Sequence, residues 1–403
     1  MLLGAATFAV LGIATAPFAY YLIVLYSVRN FFLDPSVQPA PKSGYTPPIS
    51  NLKPVKGFDP NAYENFASFC RQEYPEYEIL FCVDRDDQAV PVLEKLMRDF
   101  PDRKIRILFG SGREAINDKV ARLSRLCEEA RYDTLVISDS DVCVEPDYLR
   151  TVVAPLADPK VGAVTCFYVH AHERSFAERL QSAGMISDFY AGILIARQLD
   201  GVKFALGPTI ATTRKRLAEF GGYQAIESRP GDDLLVGRLI AEQGYRVELL
   251  AYAVKAVADY ESVWDLVHKR MRWMVVMRHM RPKGHLGLVF TQGLFWSLAA
   301  VAVHPTAAVA CVYLGAYAAL RAAVTWMIGS WGLKQQGIWK QLALVPVWDA
   351  LAFCIWLASF TRSTVRWRGA EYYIRNGMLV ARGGPSPTST SAQEGFKPGR
   401  SEV

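Results

Sequence analysis

The chain has 403 residues, 51% of them hydrophobic, and a formal net charge of +6. That length holds one large domain plus a second element. The charge is modest and no nucleic-acid motif accompanies it, so it argues against a nucleic-acid partner and fits a surface leaning on anionic lipid. Seven cysteines show neither a CxxC pair nor His at zinc-ligand spacing, which argues against a disulfide scaffold or structural zinc and suits a reducing cytoplasm.

Residues 1–28 carry no charged side chain, and 8–28 is long enough to cross about 30 Å of hydrocarbon as a helix. It has no basic n-region and no small-residue cleavage site, so it reads as a retained anchor, kinked at Pro17. Arg29 follows directly, with Lys42, Lys53 and Lys56 soon after, and the positive-inside rule places residues 29–285 in the cytoplasm. Residues 29–48, rich in Pro, Ser and Gly after Leu33, read as a linker.

From Ile49 the segments alternate. Strands are expected at 49–55, Tyr77–Val83, Lys104–Phe109, 134–138 and Val161–His170, with helices at 60–73, 88–100, 117–130 and 146–153 between them. This order predicts an α/β fold, a doubly wound, Rossmann-like parallel sheet over residues 49–260 with ligands at the strand C-termini. Residues 261–285 predict an amphipathic interfacial helix. Apolar runs at 286–303, 306–328 and 342–360 predict further spans within 286–361, one of which can instead be re-entrant or interfacial. Arg321 and Asp349 lie inside two of these runs and can pair across them. Residues 362–403 read as a polar tail, disordered by composition beyond Arg382.

Five stations fall at strand ends, at helix starts or along a helix. Asp139-Ser140-Asp141 closes the strand at 134–138. Two carboxylates at the lip of a buried strand can grip Mg²⁺ or Mn²⁺, which in turn holds a nucleotide diphosphate; the alternative is a solvated turn. About four acid-x-acid triplets arise by chance at this acid density, and the flanking strand and helix lift this one above them. Asp84-Arg85-Asp86-Asp87 follows the strand Tyr77–Val83. Asp87 is open to an N-cap role, which leaves Asp84 to accept from a uracil N–H or a ribose hydroxyl. Asn117-Asp118-Lys119 opens a helix, where backbone N–H groups and Lys119 can meet a diphosphate. Gly231-Asp232-Asp233 opens another, where capping accounts for one aspartate and the second can serve as general base. Last comes Lys269-Arg270-Met271-Arg272-Trp273. Arg272 can bind phosphate oxygens and Trp273 can stack on a sugar, unless the helix merely lies on a membrane surface.

At these residues the chain resembles the ceramide glucosyltransferase family, the family 21 branch of the GT-A glycosyltransferases, from about Ile49 to the last span. Lys53-Pro54-Val55-Lys56-Gly57-Phe58-Asp59-Pro60 looks like that family's N-terminal strand motif. Asp84, Asp139 with Asp141, and Asp233 match its three aspartate positions, and Arg272-Trp273 the end of its (Q/R)xxRW signature. Lys269 departs from the expected Gln or Arg, and Asp232 from the commoner Glu. Bacterial hopanoid-associated glycosyltransferases share the arrangement.

The resemblance implies a GT-A catalytic domain, multi-pass in a bacterial cytoplasmic membrane. The reaction it implies is inverting, metal-dependent transfer of a hexose, glucose foremost, from a UDP-sugar to the hydroxyl of a ceramide-like lipid in the bilayer. The alternative is N-acetylglucosaminyl transfer to a hopanoid such as bacteriohopanetetrol. A processive polysaccharide synthase is remoter, because four spans are few for a pore. In this reading Asp139 and Asp141 are metal ligands and Asp233 is the base, with Asp232 beside it. Asp84 holds the nucleotide, Lys119 and Arg272 add charge at the diphosphate, and Trp264, Trp273, Met274 and Met277 shape an acceptor groove.

Overall fold

The computed structural model describes residues 2–39, 44–59, 61–113, 115–170, 173–257, 260, 262–367, 370–375 and 377–381. Part of the expected linker (40–43) and the expected disordered tail (382–403) lie outside the described residues.

Four strands come first: β1 (Ile49–Pro54), β2 (Tyr77–Val83), β3 (Lys104–Phe109) and β4 (Thr134–Ile137). A parallel strand covered by helices on both faces needs apolar side chains on both, so it reads as a continuous run. In β2, Ile79, Phe81 and Val83 enter one core with Phe66, Phe69, Leu93 and Tyr148. Leu80 and Cys82 enter the opposite core with Val120, Leu123 and Leu126, as the two-residue period of a strand requires.

β5 (Val142–Cys143), β6 (Val161–His170), β7 (Ile210–Thr213) and β8 (Arg246–Ala256) complete one sheet in the order β3-β2-β1-β4-β7-β6-β8-β5. Pairing is parallel from β3 through β4 and between β6 and β8. β7 runs antiparallel between β4 and β6, and β5 antiparallel to β8. The expected parallel, doubly wound sheet is therefore present, with three strands that the sequence reading did not place: the short antiparallel β5 and β7, and the eleven-residue β8 parallel to β6. One of them matters for chemistry. Pairing of Val142 with Ala256 ties the chain after β4 to the end of β8, so the Asp139–Asp141 turn is pinned at both ends.

The helices Phe176–Gly184 and Tyr190–Asp200, joined through a π-turn at Met185–Phe189, seat the membrane helices. Tyr21, Val24, Val28 and Phe31 from the N-terminal side and Tyr317, Val324 and Ile328 from the C-terminal side bury against Ile186, Tyr190 and Leu194.

Among the described residues two helices are long and apolar enough to span: Ala5–Leu33, with 29 residues, and Ala307–Gly332, with 26. The helices Pro282–Thr291 and Gly293–Val303 form a pair bent by 52°, which makes a third span only if counted as one. Val345–Ser359, where a fourth span was expected, has 15 residues, and at about 1.5 Å per residue it falls short of the hydrocarbon thickness. The expected pairing of Arg321 with Asp349 is present, and Arg321 also donates to the Ser187 carbonyl at 2.5 Å. Where the sequence read as polar tail, Thr364–Trp367, Ala370–Arg375 and Met378–Ala381 form a small antiparallel sheet. Its Val365, Ile374 and Leu379 pack on Val275 and Val276.

Candidate active site

The site forms where β1, β4 and the helix Asp232–Glu242 meet. Leu52 of β1 pairs with Ile137 of β4, so Lys53 stands level with the residue after the strand. Lys53 is fully buried. Its Nζ donates to the Asp139 carbonyl at 2.9 Å and lies 3.5 Å from the centre of the Phe69 ring. Burial pulls its ammonium down to about 7, against the opposing pull of Asp139, Asp141 and Asp59. A lysine inside a strand is a sequence signal; we read it there as positive charge after the first span and as part of the family's strand motif, with no role at the site.

Asp139 follows β4 and Asp141 precedes β5, as the sequence indicates. Burial first, then Asp139 and Asp59, push Asp141 up to about 7. Asp59, from the turn after β1, accepts from the Ser140 hydroxyl at 2.5 Å, so the two turns are tied together. Lys119, second residue of the helix Asp118–Glu129, reaches Asp139 Oδ1 at 2.8 Å and Asp232 Oδ2 at 3.1 Å. Burial works against its charge, but Asp139, Asp232 and Asp233 more than offset this and hold the ammonium well above its ordinary value. Asn117 caps that helix, accepting from Val120 N at 3.3 Å.

Asp232 and Asp233 open the helix Asp232–Glu242 after Gly231, whose φ of 74° suits glycine. They face different partners. Asp232 takes Lys119, while Asp233 accepts from the Gly207 N–H at 3.0 Å and from Leu234 N at 2.9 Å. Burial, then Asp232, raise Asp233 to about 6. Gly207, which the sequence reading passed over, sits where the carboxylates converge. A Cβ placed on it would lie 2.9 Å from Asp139 Oδ2 and 3.4 Å from Asp233 Oδ2. The site therefore brings together Asp139, Lys119, Asp232 and Asp233 from three separate elements.

Asp84, at the end of β2, is held by Arg122 Nη2 at 2.6 Å, and Arg122 Nε takes Asp118 at 3.0 Å. Its carboxylate is 41% exposed, which leaves room for a ligand beside the pair. On the helix Val263–Met280 the sequence singled out Arg272 and Trp273. Trp273 packs on Phe189, ring centres 5.7 Å apart, and Arg272 is half-buried. The buried guanidinium is that of Arg270, which lies between the Trp273 and Trp348 rings (4.8 and 4.6 Å) and donates to Gln181 Oε1 at 2.8 Å. Lys269 lies 5.0 Å from the Tyr260 ring and adds positive potential at Asp141.

Among the described residues no three His, Cys, Asp or Glu side chains converge as a ready-made metal cage. The donors present nonetheless fit a hard cation. Asp139 and Asp141 are carboxylates whose crowding with Asp59 raises Asp141, and a divalent ion would relieve that repulsion. Mg²⁺-type sites commonly use one or two carboxylates and complete the shell with substrate phosphates and water.

The family model of glycosyl transferase family 21 matches residues 9–380. The chain belongs to glycosyl transferase family 21. It is 24% identical to ceramide glucosyltransferase 3 of Caenorhabditis elegans over 275 residues, covering 68% of this chain and 59% of that protein. To ceramide glucosyltransferase 1 of the same organism it is 24% identical over 288 residues, covering 70% and 60%. The family 21 chain thus spans less than two thirds of the length of these curated relatives. A mannosyltransferase from Pyrobaculum calidifontis, solved in complex with GDP-Man and Mn2+, superposes with a TM-score of 0.54 at 20% identity, covering 87% of this chain and 98% of its own. At that identity the likeness is one of fold, and it agrees with the expected GT-A architecture.

Proposed function

We propose that the chain is an inverting glycosyltransferase that moves a hexose, glucose foremost, from a UDP-sugar to the hydroxyl of a ceramide-like membrane lipid. The observation that carries this reading is the convergence of Asp139 and Asp233 on Gly207. An inverting displacement needs positive charge where the diphosphate leaves and a base on the opposite side of the anomeric carbon. Lys119, beside Asp139, and a cation that Asp139 would help to hold suit the first need, and Asp233 suits the second.

In this mechanism Asp233 takes the proton of the attacking lipid hydroxyl, a role suited to a carboxylate raised to about 6 that is still ionised at neutral pH. The Gly207 N–H and Leu234 N fix its orientation. Asp232 serves as counter-ion to Lys119. Lys119 and Arg272 contribute positive charge at the diphosphate, and Asp84, steadied by Arg122, holds the nucleoside. Asp139 and Asp141 hold a divalent cation, Mg²⁺ or Mn²⁺, which when bound supplies Lewis-acid stabilisation of the leaving UDP. Lys53 anchors the Asp139 backbone from beneath.

Support for the acceptor comes from relatives named ceramide glucosyltransferase, and for a nucleotide-sugar donor with a divalent metal from the structural neighbour in complex with GDP-Man and Mn2+. Residues 49–260 would form the catalytic domain on the cytoplasmic face, anchored in the bilayer by the flanking apolar helices. Mass spectrometry of lipids from cells with and without the gene tests the reading. We expect one hexosylated ceramide-like lipid to disappear. A ladder of products would indicate a processive synthase, and loss of a glycosylated hopanoid would move the acceptor.

A further inference from the structure

The ends of β1 and β2 and the start of the helix Asp118–Glu129 converge on one side chain, Arg122. It is 1% exposed, and a guanidinium cannot shed its charge, so its N–H groups must find acceptors. Nη1 donates to the Val55 carbonyl at 3.1 Å and to the Cys82 carbonyl at 3.5 Å. Nε donates to Asp118 Oδ2 at 3.0 Å, and Lys56 Nζ donates to the same oxygen at 2.9 Å. Nη2 donates to Asp84 Oδ2 at 2.6 Å. A planar group held at all three nitrogens can neither turn nor reach out to a phosphate. Its free consequence is the setting of Asp84.

Asp84 is thereby made asymmetric. Oδ2 faces a permanent donor, while Oδ1 accepts no hydrogen bond among the described residues and the side chain is 41% exposed. Nucleobases differ in what they ask of such a group. Guanine offers two parallel N–H donors and pairs best with two free carboxylate oxygens. Cytosine offers a ring nitrogen that accepts, which a carboxylate repels. Uracil offers a single ring N–H between two carbonyls. One free oxygen suits that N–H, and the guanidinium at the other offsets the repulsion of a flanking carbonyl.

We propose that Arg122 is a positioning residue that sets base selectivity. By occupying Asp84 Oδ2 it leaves one acceptor, which takes the ring N–H of uracil and disfavours guanine and cytosine. This role rests on Asp84 holding the nucleoside, as proposed above.

Calorimetric titration of the full chain in detergent with UDP, CDP and GDP, each with Mn²⁺, tests it. The three share ribose and diphosphate, so their differences report the base alone. Wild type should bind UDP about ten-fold tighter than CDP or GDP, in line with a hydrogen bond to a charged group. In Asp84→Asn the amide oxygen must face Arg122, which only donates, and the NH₂ must face the base. UDP should then weaken about ten-fold and CDP should not, so the preference disappears or reverses. Adding Arg122→Met to Asp84→Asn frees the amide to turn, and the preference for UDP over CDP should return. Should the double variant fail to fold, Asp84→Asn, at a partly exposed position, decides alone. An undiminished preference for UDP over CDP in Asp84→Asn would show an amide that turns freely and would overturn the role of Arg122. Equal binding of GDP and UDP by wild type would overturn it too. Unaltered UDP binding in Asp84→Ala would remove Asp84 from the nucleoside site proposed above, and the part of Arg122 with it.

Discussion

Asp233 and Asp232 are neighbours with different work, and the difference is testable residue by residue. Asp233→Asn keeps size and one of the two hydrogen bonds accepted from backbone N–H groups, but cannot accept a proton. Transfer should fall by about 10²-fold or more with UDP-sugar affinity nearly unchanged. Asp232→Asn should be milder, since it loosens only one of the two carboxylates holding Lys119. The proposed base would also set a pH limit. Only the ionised carboxylate accepts a proton, and Asp233 is raised to about 6, so the transfer rate should drop as pH is lowered through about 6 and level off above it. A rate flat from pH 5 to 8 would remove Asp233 from the base role. Beneath the site, Lys53→Met leaves the Asp139 carbonyl without its donor, a loss of about 1–3 kcal/mol for a buried group. Denaturant unfolding should show it, together with weaker Mn²⁺ binding followed by electron paramagnetic resonance. The aspartates were legible because strand ends and helix starts are marked locally. Lys53 and Gly207 were not, because their partners are set by pairing across β1 and β4 and by a helix far along the chain.

At the scale of elements, the helix Asp232–Glu242 carries the proposed base and is seated by Gly237. A Cβ there would stand 2.1 Å from the Phe204 carbonyl carbon and 2.3 Å from Ala205 N. Backbone cannot yield as a side chain can, so Gly237→Ala must shift the helix. We expect a loss of about 1–3 kcal/mol in unfolding free energy, and a fall in transfer larger than unfolding alone explains. Gly192→Ala is the control: nothing lies within 4 Å of its Cβ, and helix propensity makes it neutral or slightly stabilising. The strands β2, β4 and β6 were readable because burial on both faces writes a largely apolar run, whereas β1 and the edge strand β3 carry polar and charged residues and were read from the alternation of segments. β5 and β7 were not, being two and four residues long and defined by antiparallel pairing with distant strands. The terminal sheet was missed for a similar reason. Its strands sit among Arg and polar residues and bury only one face, through Val365, Ile374 and Leu379.

Over the whole molecule, the catalytic sheet and the apolar helices form one packed body. Arg321 joins Asp349 to the Ser187 carbonyl, and Gly184 lets the Trp348 ring approach so closely that a Cβ would meet it at 2.2 Å. Hydropathy alone gave the apolar runs but overstated the spans, because it does not register the 52° bend or the end of the last helix after 15 residues. In the proposed reading this seating would bring the active site to the membrane surface, where a lipid hydroxyl would reach Asp233. The central claim is that sugar passes from UDP to such a lipid. Purified full-length chain, reconstituted in vesicles containing ceramide and supplied with Mn²⁺ and ¹³C-labelled UDP-glucose, tests it directly. The account predicts one β-linked glucosyl lipid formed per UDP released, with both products lost in Asp233→Asn and in chelator. UDP released without a glycosylated lipid, or a lipid product that persists undiminished in Asp233→Asn, would contradict it.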